Sequence, residues 1–129
     1  MKVLTIKEPY ATLIKEGYKE YEFRTWKTNF RGEFLIHAGK SIDKKAMEKY
    51  KHLNLNINPG HIIAKAKIID CIKIDDDAKK MLSKINKHEI YTNSINSKEE
   101  KLYGFKVEDV KPINPIEVSG KLSFWEYNL

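Results

Sequence analysis

Cysteine is nearly absent: Cys71 is the only one among 129 residues. An internal disulfide is therefore impossible, and a zinc site built on cysteines is not expected. Such usage suits a reducing compartment, so a cytoplasmic protein is expected. Long apolar runs are also missing. MKVLTI gives way to Lys7 and Glu8, too soon for a signal peptide, and no later stretch is long enough to cross a bilayer. A membrane is accordingly not an expected partner. His52, His61 and His88 show no metal-ligand spacing, so neither a metal nor another cofactor is expected. No internal repeat and no linker divides the chain, and its length suits one domain over residues 1–129.

What is present is a foldable, basic composition. Apolar residues make up 41% and charged residues 33%, too much apolar material for a disordered chain. An excess of 24 Lys plus Arg over 18 Asp plus Glu gives a net charge of +6, which suits a polyanionic partner. A bias toward Lys, Ile and Asn would produce the same excess, so charge alone decides nothing.

Periodicity supplies the elements. Residues 3–6 read as a strand, after which Pro9 opens a helix with Ala11, Leu13 and Ile14 on its apolar side and Gly17 as its stop. From Glu20 the period becomes two: Tyr21 and Phe23 face a core while Glu20, Glu22 and Arg24 share the other face. Residues 29–32 read as a turn and 32–38 as an apolar strand. A helix capped by Ser41 follows, with Ile42, Ala46, Met47 and Tyr50 at helical spacing and a lysine-rich wet face. Residues 54–60 read as loop and 61–74 as a central strand. Asp75, Asp76 and Asp77 then start a helix carrying Ala78, Met81, Leu82 and Ile85. Residues 88–101 have no period and read as a mobile surface loop. A strand from Tyr103 is interrupted by Pro112 and Pro115, and Phe124 and Trp125 in the tail read as core.

The stretch GYKEYEFRTW, residues 17–26, concentrates Lys19, Glu22 and Arg24 among aromatic rings. As a solvated strand face such charges contribute roughly 0 to 1 kcal/mol. Inside a cleft they serve recognition: Arg24 offers a planar fork of donors, and Glu22 accepts from an exocyclic amine. Lys19 breaks the alternation, so it lies in the turn before the strand or wraps around its edge. A nearby Glu22 should hold it protonated. Tyr10 and Trp26 flank the cluster and could stack a base, at about 1 to 3 kcal/mol per base. His37, at the end of an apolar strand, is a further candidate for such a pocket.

The residues EPYATLIKEGYKEYEFRTWKTNFRGEFLIHAGK resemble the opening signature of the ASCH domain, a fold related to the PUA RNA-binding barrel. The pattern appears as Pro9, Tyr10 and Ala11, then Gly17, Lys19, Glu22 and Arg24, then Arg31 and Gly32 before residues 34–37. NPGHIIAKAKIIDCIKI and SGKLSFWEY resemble the family's central strand and C-terminal segment, so the resemblance spans nearly the whole chain. It implies an α+β fold, a small PUA-like β-barrel with helices packed at its ends. It also implies a partner: single-stranded RNA, DNA or a modified nucleoside, held by Tyr10, Lys19, Glu22, Arg24, Thr25, Trp26, Arg31 and His37. Some small bacterial members are associated with N4-acetylcytidine amidohydrolase or ribonuclease activity. Those amidohydrolases resemble one another in a lysine, a threonine three positions later and a more distant glutamate. Lys19 matches the first, but Glu22 stands in the threonine's place. An enzyme reading would therefore use Glu22 as general base with Lys19 and Arg24 stabilising charge, and Asp75, Asp76, Asp77 and Glu89 as alternatives for the third residue.

Overall fold

In the computed structural model, which describes residues 1–129, the alternating segments become six strands. They are β1 (Lys2–Glu8), β2 (Tyr21–Arg24), β3 (Gly32–Ile42), β4 (His61–Lys73), β5 (Tyr103–Glu117) and β6 (Phe124–Glu126). The strands form one sheet of order β2-β5-β4-β3-β1-β6. β1 and β3 pair in parallel and every other pair is antiparallel. The helices are α1 (Tyr10–Lys15), α2 (Lys44–Lys49), α3 (Asp76–Lys84) and α4 (Thr92–Ile95). The result is a mixed α+β fold.

Two faces of the sheet are covered, for a reason visible in single strands. On β1, Leu4 and Ile6 join the main core with α1, Phe34, Ile36 and Phe105, while Val3 points the other way onto Leu35, Ile62 and Trp125. Each fully buried leucine or isoleucine contributes about 1.5 to 3 kcal/mol, so strands buried on both faces cannot slip register without losing several such contributions. A third cluster packs Leu13, Tyr21, Tyr50, Leu82 and Tyr91 beneath α2, α3 and α4.

The expected closed barrel is not formed. β2 and β6, the two edges, are four and three residues long and share no backbone ladder, so the sheet stays open between them. Side chains cross the gap instead: Trp26 lies edge-on to Phe124 at 5.7 Å, and Arg24 Nη2 donates to the Thr5 carbonyl at 2.6 Å.

Three local expectations are also corrected. Asp43, not Ser41, caps α2, accepting from the Ala46 N–H at 3.0 Å, because β3 runs on to Ile42. β5 continues through both prolines. Pro112 pairs opposite Ala64 beside a register shift, where the ladder requires no donor from it. Finally, residues 88–101 are not a loose surface loop: Ile90 and Tyr91 are buried, at 6% and 2% exposure. The Tyr91 side chain packs against Tyr21 and Phe23, and its hydroxyl accepts from the Glu20 N–H at 2.7 Å.

Candidate functional site: a cationic cavity at the open edge of the sheet

The site begins with a buried carboxylate ahead of α1. Glu8 is fully buried, and it accepts from the Thr12 N–H at 2.8 Å and from the Thr12 hydroxyl at 2.6 Å. These bonds satisfy donors that the start of a helix otherwise leaves open and fix the turn carrying Tyr10. The Tyr10 hydroxyl donates to Asp43 Oδ2 at 2.7 Å, tying α1 to the cap of α2. Burial first, and then this bond, push the Tyr10 phenol well above its usual value. The same bond is the main reason the Asp43 carboxyl sits below its usual range.

Lys19 lies in the turn before β2, the first of the two placements open to it, and only 5% of its side chain is exposed. Its ammonium donates to the Tyr21 carbonyl and lies 3.4 Å from Glu22 Oε1. It also stands 4.9 Å from the Phe23 ring centroid and 5.7 Å from that of Tyr10. Burial lowers the Lys19 pKa and outweighs the opposing pull of Glu22. The expectation that the carboxylate would hold the lysine protonated therefore captured the smaller effect. The other carboxylate oxygen, Oε2, accepts from Arg24 Nε at 3.0 Å and lies 2.9 Å from Nη2. Arg24 thus spans Glu22 and the Thr5 carbonyl. No buried side-chain nitrogen or oxygen lacks a partner.

Tyr10, Lys19, Glu22 and Arg24 converge on one cavity of about 620 Å³. Its lining also includes Lys7 and Lys40, the ring of Phe23, and Ile90, Asn93 and Ser94. Four cationic side chains therefore face a single carboxylate, Glu22. A cavity of this size lies within the range of small-molecule sites. No group of three or more His, Cys, Asp or Glu side chains is arranged to hold a metal ion.

The remaining candidates lie elsewhere. Trp26 packs edge-on against Phe105 at 5.3 Å as well as against Phe124, away from this lining. Thr25 and Arg31 are exposed; Arg31 donates to the carbonyls of Thr28 and Phe30, beside its own turn. His37, 1% exposed, lines a neighbouring cavity. None of Asp75, Asp76, Asp77 and Glu89 lines the main cavity. Conversely, sequence reasoning missed Lys7, Phe23, Asn93 and Ser94 as lining, and took Lys40 for part of the lysine-rich helix that follows, whereas it lies in β3. Lys40 ends the GEFLIHAGK segment and could have been found there; Asn93 and Ser94 lie in a stretch whose order depends on one buried tyrosine.

The ASCH domain family profile matches residues 4–115. The chain belongs to this family. The match covers both the segment that builds the cavity and the central strands. Solved ASCH structures share the fold. The ASCH protein from Zymomonas mobilis is 19% identical, with a TM-score of 0.59 over 90% of this chain and 72% of that one. A tyrosine-to-phenylalanine mutant of the Zymomonas mobilis protein gives the same identity and TM-score, covering 90% and 74%. A serine-to-alanine mutant gives 17% identity and a TM-score of 0.55, covering 91% and 73%. No curated protein sequence matches this ASCH chain significantly. No helix in it is long and apolar enough to cross a membrane.

Proposed function

We propose that this ASCH domain binds RNA or a modified nucleoside, with one heterocycle seated in the 620 Å³ cavity. One observation carries the reading: Tyr10, Lys19, Glu22 and Arg24 meet at a single hollow whose other charges, Lys7 and Lys40, are cationic. Tyr10 and Phe23 offer ring faces, and Glu22 is the acceptor for an exocyclic amine. The cations supply attraction for a phosphate backbone. Phe23 takes the stacking role first considered for Trp26. Titrating labelled single-stranded RNA across a salt series tests this. Affinity should fall steadily as salt rises, and a Tyr10→Ala variant should lose about 1 to 3 kcal/mol of binding. No binding at low salt would reject the proposal.

A second reading, hydrolysis of a nucleoside amide or a phosphodiester, is favoured by the lowered pKa of Lys19 beside Glu22. A lysine whose charge is disfavoured by burial is the kind of group that sites tune for chemistry. In this reading Glu22 takes a proton from water, and Lys19 and Arg24 stabilise the developing oxyanion. Incubation with N4-acetylcytidine and short RNAs tests it, with a Glu22→Gln variant as control. Absence of turnover, or full activity in the variant, would remove it.

A further inference from the structure

A second cavity of about 350 Å³ adjoins the first and shares Thr5, Gly39 and Lys40 with it. Its remaining lining is His37, Gly60, Ser119, Gly120, Lys121 and Leu122.

The floor is a hydrogen-bonded chain with assignable directions. The Trp125 indole Nε1–H can only donate, and it does so to Thr5 Oγ1 at 3.0 Å. The Val118 carbonyl can only accept, so the His37 Nε2 found 2.7 Å away carries a proton. The Thr5 hydroxyl is then free to donate to His37 Nδ1 at 3.2 Å. Both ring nitrogens are engaged, which makes His37 a wall and leaves ligand recognition to other groups. The loop above lies directly on this pair: a Cβ added at Gly120 would come within 2.7 Å of both His37 Cε1 and Thr5 Oγ1.

The charged groups in the second cavity are Lys40 and Lys121, and no acidic residue lines it. Neither lysine forms an ion pair within the chain. The Lys40 stem passes over Gly60, a turn residue held at a φ of +82°. Two uncompensated ammonium groups over a polar floor suit a compact anion with several acceptor oxygens, and phosphate is such an anion. Because the cavities share a wall at Lys40, an anion here can be bonded to a group held next door.

We infer that the second cavity is a phosphate subsite: Lys40 and Lys121 hold the phosphate of the same nucleotide whose base occupies the first cavity. This rests on the base-binding reading above and narrows its ligand from a nucleoside to a nucleotide or a strand.

Binding of cytidine, its 3′- and 5′-monophosphates and inorganic phosphate to wild type and to Lys121→Ala tests the inference, with amide signals followed by NMR. Lys121 lines only the second cavity. One monophosphate should bind wild type roughly tenfold more tightly than cytidine, and Lys121→Ala should abolish that gain while leaving cytidine binding unchanged. Phosphate alone should shift the Gly60 and Gly120 amides. Equal binding of nucleoside and nucleotides, or equal weakening of all by the variant, would overturn the subsite and leave the base pocket standing. If cytidine and both monophosphates fail to bind, the base-binding reading falls and the phosphate arm decides: shifts at Gly120 that the variant removes support an anion site, and none overturns it.

Discussion

Lys19 and Glu22 are both buried, yet they should respond unequally to mutation. Glu22 serves two cations at once, through Oε1 to Lys19 and Oε2 to Arg24. A Glu22→Gln change leaves two positive groups facing a neutral amide and should cost about 3 kcal/mol of stability. Lys19→Met removes a desolvated charge while Arg24 still compensates Glu22, so it should cost about 1 kcal/mol or less. Urea denaturation of both variants checks the asymmetry. The same residue sets an alkaline pH profile. The Lys19 pKa is lowered from 10.5, so between its folded and ordinary values the unfolded chain binds more protons, and stability rises with pH. Tyr10, Tyr50 and Tyr91 behave oppositely: burial raises each above 10.0, Tyr91 to about 12, so above 10.0 stability falls as pH rises. Wild type should therefore be most stable near pH 10, and Lys19→Met should lose the rise while keeping the fall, at a slope of about 1.4 kcal/mol per pH unit for each proton. GYKEYEFRTW concentrates Lys19, Glu22 and Arg24, and the ASCH resemblance implied that they act as a group. It could not reveal that burial would outweigh the carboxylate at Lys19, or that the Trp26 ring would turn toward Phe105 and Phe124.

Among the elements, the segment from Lys87–Glu89 through α4 decides the shape of the main cavity. Ile90, Asn93 and Ser94 form part of its wall, and Tyr91 anchors them by packing on Tyr21 and Phe23. Tyr91→Ala should cost about 3 to 5 kcal/mol, and Tyr91→Phe about 1 to 2 kcal/mol through the orphaned Glu20 N–H. Hydrogen exchange separates this account from a loose loop: the bonded amides of Tyr91, Ile95 and Asn96 should be protected in wild type and exchange rapidly in Tyr91→Ala. The residues themselves offered little warning here, because two isoleucines and one tyrosine among polar residues have no period. The converse holds for β4, where alternation over HIIAKAKII marked a central strand over 61–74 that the structure ends at Lys73. Prolines misled at β5, because a break in periodicity does not distinguish the end of a strand from a register shift beside Ala64.

At the scale of the molecule, charge and opening coincide. The sheet fails to close between β2 and β6, and the cavity forms close to that gap, bounded by Arg24 where it reaches across to Thr5. A barrel was expected from the ASCH resemblance, but closure depends on edge strands long enough to form a ladder, and those of four and three residues are not. The net charge of +6 is spread widely, with Lys44, Lys45, Lys49 and Lys51 on and after α2 as a rival surface for a polyanion. The cavity and this lysine face make opposite demands on one measurement, an amide-resolved NMR titration with short single-stranded RNA. The account predicts that the largest shifts fall on Tyr10, residues 19–24, Asn93 and Ser94, and that they saturate together. Shifts confined to the α2 lysines, with the cavity amides unmoved, would contradict it.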